Sequence, residues 1–190
     1  MERRRYLKTA SVVATGGVAS LAGCTSSGTE GDSSDSTSKS QQTTSSSNET
    51  TGNSNTVLMV TEGSQYYFDP IGLFVETGDT VSFKIRSGNH SATAYQKGNG
   101  PASVTRIPDG AQAFDSGTLS ERGATFQHTF ETTGTFDYYC IPHKTLGMVG
   151  RIVVGKPRGP AEENMPPDGN VPKSGTIVDN GLVSYSEFSR

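Results

Sequence analysis

The chain has 190 residues, and its 16 lysines and arginines stand against 19 aspartates and glutamates, for a formal net charge of −3. This charge, with no basic patch after the first residues, argues against nucleic-acid binding. Two cysteines exclude a disulfide-rich scaffold and would allow a single bridge.

Residues 1–24 are predicted to be a targeting segment and not part of the fold. The sequence Arg-Arg-Arg-Tyr-Leu-Lys at residues 3–8 resembles a twin-arginine export motif, and the apolar run at residues 10–22 is too short to span a bilayer comfortably. Residues 21–24, Leu-Ala-Gly-Cys, are similar to a lipoprotein cleavage box. The pattern predicts an exported protein, anchored to the outer face of the cytoplasmic membrane by a lipid on Cys24. A plain secretory signal with a chance cysteine is the alternative.

Residues 25–55 are predicted to be a disordered tether. Of these 31 residues, 18 are Ser or Thr and none is apolar. Such a segment cannot bury enough surface to offset the entropy lost on ordering. As a flexible coil it would have a root-mean-square reach of about 30 Å, so a domain that follows it could leave the membrane surface and meet partners.

Residues 56–155 are predicted to form one small domain of strands and turns. Apolar and polar residues alternate with a period of two, typical of half-buried strands, in three segments: 81–86, 125–130 and 135–140. Shorter apolar segments lie at 56–60, 66–68, 72–76 and 152–154, and a loop rich in Gly and Pro is predicted over 96–116. Short strands with glycine-rich turns indicate an all-β fold, a Greek-key β-sandwich.

The segment from Cys140 to Met148 carries a thiol, an imidazole and a thioether in the spacing Cys-x2-His-x4-Met, with His143 between the other two. Copper that cycles between Cu(I) and Cu(II) prefers two His and a Cys in a trigonal plane, with a weak axial Met. His90, in a turn-rich break between two apolar segments, is the candidate for the second imidazole. The alternatives are a buried core cysteine with chance neighbours, or a zinc site, against which the methionine argues.

Residues 133–154, which contain this spacing, resemble the copper loop of plastocyanin-type blue copper proteins, above all the halocyanins of halophilic archaea. The resemblance covers roughly residues 56–155. It implies a cupredoxin fold, one type 1 copper per chain, and a monomeric one-electron carrier between membrane-associated redox proteins. After His90 this chain reads Ser-Ala-Thr-Ala-Tyr at residues 91–95, where plastocyanins usually have Asn, two Val and an aromatic residue. The hydrogen bonds around the site are therefore expected to differ, and with them the reduction potential.

The resemblance also implies two routes for electrons. It places His143 at the surface in an apolar patch with Pro142, Leu146, Gly147 and Val149, where a partner would dock. Tyr139, the neighbour of Cys140, would be a second and remote exit. The alternative for Tyr139 is an ordinary exposed tyrosine on a strand.

His128 is the third of the three histidines and lies between Phe126 and Phe130. It is predicted to be a partly buried structural residue, with a second metal site as the alternative. Copper oxidases and copper nitrite reductases need a second, His-rich centre, which one remaining histidine cannot supply, so the chain is not expected to be an enzyme. Copper binding and delivery without redox turnover is a second functional hypothesis, and a domain that has lost its metal is a third.

Residues 156–190 hold five of the nine prolines and are predicted to be an irregular C-terminal extension. Residues 176–185 could form a hairpin with Asn180-Gly181 at its turn, or belong to a loose tail. No disulfide is expected, because Cys24 is assigned to lipid and Cys140 to copper.

Overall fold

The computed structural model describes residues 55–190, a part of the chain that folds into two facing β-sheets with short helices near its C-terminal end. The strands are β1 (Thr56–Glu62), β2 (Gln65–Asp69), β3 (Gly72–Val75), β4 (Thr80–Ile85), β5 (Thr93–Ala94), β6 (Thr125–Thr129), β7 (Gly134–Tyr139), β8 (Val149–Val154) and β9 (Leu182–Val183). The helices are α1 (Ser174–Asn180) and α2 (Tyr185–Phe188), and single 3₁₀ turns occur at Lys144–Leu146 and Pro160–Glu162. The predicted leader, Cys24 and all but the last residue of the predicted tether lie outside the described residues.

The strand order is β2-β1-β4-β6 in the first sheet and β5-β7-β8-β3-β9 in the second. β1 runs parallel to β4, and β3 runs parallel to β8, whereas the other pairs are antiparallel. The inward side chains of both sheets form one core, in which the largest members include Met59, Phe68, Phe83, Phe136 and Tyr138. The predicted all-β sandwich is confirmed. Within residues 55–190, no helix is long and apolar enough to cross a membrane.

β7 and β8 are buried on both faces, so the prediction of a half-buried strand over residues 135–140 was wrong. Thr135, Asp137 and Tyr139 point away from the sandwich core, yet each is fully buried. The loop after β5 and the C-terminal extension (residues 156–190) cover this outer face. Alternating apolar and polar residues along β7 therefore do not separate core from solvent. The apolar residues face the core between the sheets, and the others face a second buried layer that is more polar.

The C-terminal extension is part of the folded structure, and both the hairpin and the loose tail were wrong. Asn180 ends α1, and Gly181 follows as its C-cap, so the Asn-Gly pair closes a helix and not a hairpin. β9 then adds antiparallel to β3. Ile177 of α1 is fully buried in a small apolar cluster with Ile71 and Val153. A Cβ added at Gly72 would lie 2.7 Å from the Ile177 side chain, so glycine allows this close packing.

Asp137 joins the outer face of β7 to the extension through two buried arginines. Its carboxylate accepts hydrogen bonds from Arg106 Nε at 2.8 Å, and from Arg151 Nε and Nη2 at 2.7 and 3.1 Å. Both guanidinium groups also donate to the Ala161 carbonyl in the extension, at 3.0 and 2.8 Å. Because unpaired buried charges are strongly unfavourable, this cluster specifies where the extension sits on the sheet.

Candidate metal centre

Three predicted ligands converge at one end of the sandwich. Cys140 directly follows β7, His143 lies in the loop from β7 to β8, and His90 follows β4. The Cys140 Sγ atom is 3.6 Å from His90 Nδ1 and 3.3 Å from His143 Nδ1. One ligand atom from each of the three residues lies within 4.8 Å of the others. Two imidazole nitrogens and a sulfur thus face a common point.

The His90 ring is held in one orientation by contacts at Nε2, the nitrogen that faces away from the Cys140 sulfur. Its Nε2 atom lies 2.9 Å from the Ser87 carbonyl and 3.0 Å from Thr61 Oγ1. With Nδ1 turned to the sulfur, Nε2 carries the ring proton and donates it to the Ser87 carbonyl, which can only accept. Gly88 permits the arrangement, because its φ is +80° and an added Cβ would meet Thr61 Oγ1 at 2.1 Å. Burial lowers the pKa of His90 to about 4, so the ring is neutral near pH 7 and able to bind metal.

Cys140 lies in an apolar environment with one backbone donor aimed at its sulfur. The Ser91 N–H donates to Sγ at 3.4 Å. The Ser91 hydroxyl accepts from the Ile141 N–H at 2.8 Å and is 3.0 Å from Thr93 Oγ1, which donates to Asp115. Burial raises the pKa of the Cys140 thiol, so a nearby cation is needed to hold it as a thiolate. Ser91, the residue at which the sequence departs from plastocyanins, thus ties the His90 segment to the Cys140 segment.

The segment Cys140–Met148, hereafter the copper loop, closes on itself. The Cys140 N–H donates to the Met148 carbonyl at 3.0 Å, and the Met148 N–H donates to the His143 carbonyl at 3.2 Å. Gly147 ends the 3₁₀ turn with a φ of +86°, which glycine adopts without strain. Met148 is fully buried in the same apolar cluster as Cys140. All four residues of the predicted ligand set therefore belong to one end of the domain.

Tyr66 is a contact of the site that the sequence did not reveal. Its ring stacks on His143 with centroids 3.9 Å apart and planes 13° apart. His143 is half-buried, and burial lowers its pKa. The apolar segment at residues 66–68 placed Tyr66 on a strand, but no feature of the sequence linked that strand to the copper loop.

The predicted electron-transfer surface is present only in part. Leu146 is 62% exposed, and Pro142 is also exposed beside the half-buried His143. Val149 and Tyr139 are buried, so neither belongs to a surface. Tyr139 donates its hydroxyl hydrogen to the Asn99 carbonyl at 2.8 Å.

The burial of Tyr139 has a structural reason. Its ring packs against Tyr95 with centroids 4.5 Å apart. Val171 of the C-terminal extension belongs to the same buried cluster. A remote electron exit at Tyr139 is therefore not open to a partner protein in this structure.

His128 is half-buried, as predicted. Its ring centroid lies 4.7 Å from Phe114 and 4.7 Å from Phe130. Among residues 55–190, the group of side chains with metal-ligand spacing comprises His90, Cys140 and His143, without His128. Its placement is that of a structural residue.

The chemistry of the donor set fits copper. Two neutral imidazoles, a sulfur that requires a cation, and a buried methionine beside them match the preference of a type 1 copper site. Structural zinc sites instead use four Cys, His or carboxylate ligands. Since His90 and Cys140 are fully buried, these two ligands are shielded from bulk solvent.

Comparison with known proteins agrees with this donor set. Residues 54–155 match the family model described as copper binding proteins of the plastocyanin/azurin family. A chloroplastic plastocyanin of Oryza sativa subsp. indica is 31% identical over 98 residues, which are 52% of this chain and 61% of that protein. A halocyanin of Natronomonas pharaonis is 30% identical over 89 residues, 47% of this chain and 48% of that protein. The matches thus span less than two thirds of these two relatives.

Among solved structures, the pseudoazurin of Methylobacterium extorquens AM1 aligns with a TM-score of 0.44 at 26% identity, over 58% of this chain and 84% of that one. The family match covers more than half of the chain and includes His90, Cys140, His143 and Met148. Copper is therefore the cofactor of this protein. The chain belongs to the plastocyanin/azurin family of copper binding proteins, the cupredoxins.

Proposed function

We propose that the protein is a membrane-tethered one-electron carrier whose copper is held by His90, Cys140, His143 and Met148. The observation that carries the proposal is the convergence of three ligand atoms within 4.8 Å inside a rigid sandwich. When bound, copper supplies a one-electron Cu(II)/Cu(I) couple. The protein makes and breaks no substrate bond in this role.

The surrounding residues keep the ligands in place in both oxidation states. The Ser87 carbonyl fixes the His90 ring, the Ser91 N–H fixes the sulfur, and the Tyr66 ring fixes His143. Because these contacts come from different elements of the fold, the ligands need little movement when the charge of the site changes. Small rearrangement favours fast electron transfer.

His143 is the proposed point at which electrons enter and leave. It is half-buried, whereas His90 and Cys140 are fully buried. Exposed Pro142 and Leu146 flank it with apolar surface. A small apolar patch of this kind suits the brief encounters of redox proteins. The partners we propose are membrane-associated redox proteins, which supply and accept the electron.

Export and anchoring at the outer face of the cytoplasmic membrane are proposed from residues 3–8 and 21–24. Lipid on Cys24 would hold the protein at the membrane, and residues 25–55 would let the domain move away from it. The test is fractionation of producing cells, with mass spectrometry of the N-terminal peptide. Cys24→Ser should release the protein from membranes and leave its copper site unchanged. A wild-type protein without lipid on Cys24, found free in solution, would contradict the anchor.

The copper site is tested by visible absorption of the full-length protein with one equivalent of Cu(II). We expect an intense band near 600 nm, from thiolate-to-copper charge transfer, that ascorbate bleaches and an oxidant restores. Cys140→Ser should abolish the band. A colourless protein that retains Cu(I) without reversible oxidation would instead support copper delivery. The full burial of His90 and Cys140 argues against such a labile, exposed site.

A further inference from the structure

Lys144, the residue after His143, is enclosed by three side chains from other parts of the fold. Its Nζ atom is 2.6 Å from Asp168 Oδ2. The same atom lies 5.8 Å from the ring centroid of Tyr95 and 5.6 Å from that of Tyr139. The Lys144 and Asp168 side chains are 15% and 16% exposed. Solvent therefore screens this ion pair less than a typical surface pair, and the two rings add cation–π attraction.

Asp168 is itself fixed in position and belongs to the C-terminal extension. The Tyr95 hydroxyl donates to Asp168 Oδ2 at 2.6 Å. The next residue, Gly169, packs so closely on the copper loop that an added Cβ would lie 3.1 Å from the Gly147 carbonyl oxygen and 2.9 Å from the Val149 side chain. The extension thus contacts the copper loop both at Lys144 and near Gly147.

We propose that Asp168 is a positioning residue for the copper loop, which it holds through Lys144 while cancelling the lysine's charge beside His143. The loop is anchored by its own hydrogen bonds at Cys140 and Met148. The turn between these anchors carries His143 and is exposed at Leu146 and Gly147. The bond from Lys144 to Asp168 is the charged contact that ties this turn to the rest of the domain.

The proposal has an electrostatic consequence, which rests on the proposed electron-carrier function. If Asp168 becomes neutral, Lys144 is left as an uncompensated cation next to a copper ligand. Positive charge near the metal disfavours Cu(II), the more highly charged state, relative to Cu(I). The reduction potential should rise, and removal of the lysine charge should reverse the effect.

Loop order is tested first in the copper-free protein, by amide hydrogen exchange. Asp168→Asn should speed exchange of the Leu146, Gly147 and Met148 amides by about five- to tenfold. Amides of β1 and β4 serve as the reference for global unfolding and should not change. Asp179→Asn removes an exposed charge from α1 of the same extension and is the matched control. Unchanged exchange at all three loop amides in Asp168→Asn would overturn the positioning role.

The electrostatic role is tested by redox titration of the copper-loaded protein. Asp168→Asn should shift the Cu(II)/Cu(I) equilibrium toward Cu(I) by roughly three- to tenfold against a fixed mediator, where tenfold corresponds to 59 mV. Asp168→Asn combined with Lys144→Gln should return close to the wild-type value, and Asp168→Glu should rescue it in part. A potential that does not rise in Asp168→Asn, or that stays raised in the double variant, would refute charge cancellation.

The two tests separate this inference from the proposed function. If the wild-type protein shows no reversible blue colour, the electron-carrier proposal fails, but exchange in the copper-free protein still decides whether Asp168 orders the loop. If the wild-type colour cycles normally and neither exchange nor potential responds to Asp168→Asn, only the role of Asp168 is refuted.

Discussion

Replacing Asp137 by asparagine should strongly destabilise the domain. The change preserves the shape of the side chain but removes the anion between Arg106 and Arg151, both almost fully buried. Three charge-assisted hydrogen bonds, at 2.7, 2.8 and 3.1 Å, are weakened or lost. Removing one partner of a buried ion pair costs about 3–5 kcal/mol. With a urea m-value of about 2 kcal/mol per molar, the unfolding midpoint should fall by about 2 M.

The assay is urea denaturation of the copper-free protein, followed by tyrosine fluorescence because the chain has no tryptophan. Glu131→Gln, at an exposed position after β6, is the control and should change the free energy of unfolding by less than about 0.5 kcal/mol. If Asp137→Asn costs less than about 1 kcal/mol, the cluster is not what fixes the extension to the sheet. Surviving Asp137→Asn protein should keep its blue band, because Asp137 does not touch the ligands.

Three further results are expected. Because the folded-state pKa of His90 is about 4, below the unfolded value of 6.5, the unfolded chain takes up the proton first as the pH falls. In the copper-free protein His90 alone should therefore contribute a loss of about 2.5 kcal/mol of stability between pH 7.5 and 4.5 in urea titrations. The lowered pKa values of His128 and His143 act in the same direction, and a flat profile would contradict this. Tyr66→Ala removes the stack on His143 and should speed copper loss to a chelator by about fivefold. If the variant and the wild-type protein lose copper at the same rate, the stack does not restrain His143. Ile177→Ala should lower the free energy of unfolding by about 2–4 kcal/mol. Val178→Ala, at a partly exposed neighbour, is the control. If both variants lose the same free energy of unfolding within error, α1 is not tightly packed on the sheet.

The strands and the residues of the donor set could be predicted from the sequence because their signals are local. Alternation with a period of two marks a strand whatever lies next to it. A thiol, an imidazole and a thioether at the spacing of Cys140, His143 and Met148 form a ligand set that favours copper over other metals. His90 followed from the need for a second imidazole and its place in a turn.

The errors arose where burial depends on residues far away in the chain. Tyr139 alternates out of the core, but Tyr95, the loop after β5 and Val171 of the C-terminal extension cover it. Asn180-Gly181 suits a tight hairpin turn, but a glycine after a short helix is equally well placed as its C-cap. The contact of Tyr66 with His143 joins residues 77 apart in the chain, and that of Asp168 with Lys144 joins residues 24 apart. No local sequence pattern predicts either contact.

The two residues of β9 also affect how copies of this protein meet one another. Without them, β3 would be the outermost strand of its sheet, with a row of unpaired N–H and C=O groups open to any other strand. The pairing of Leu182 and Val183 with β3 occupies that row from within the same chain. An edge strand that is already paired cannot pair with the edge strand of another copy, so β9 protects this side of the sheet from edge-to-edge association.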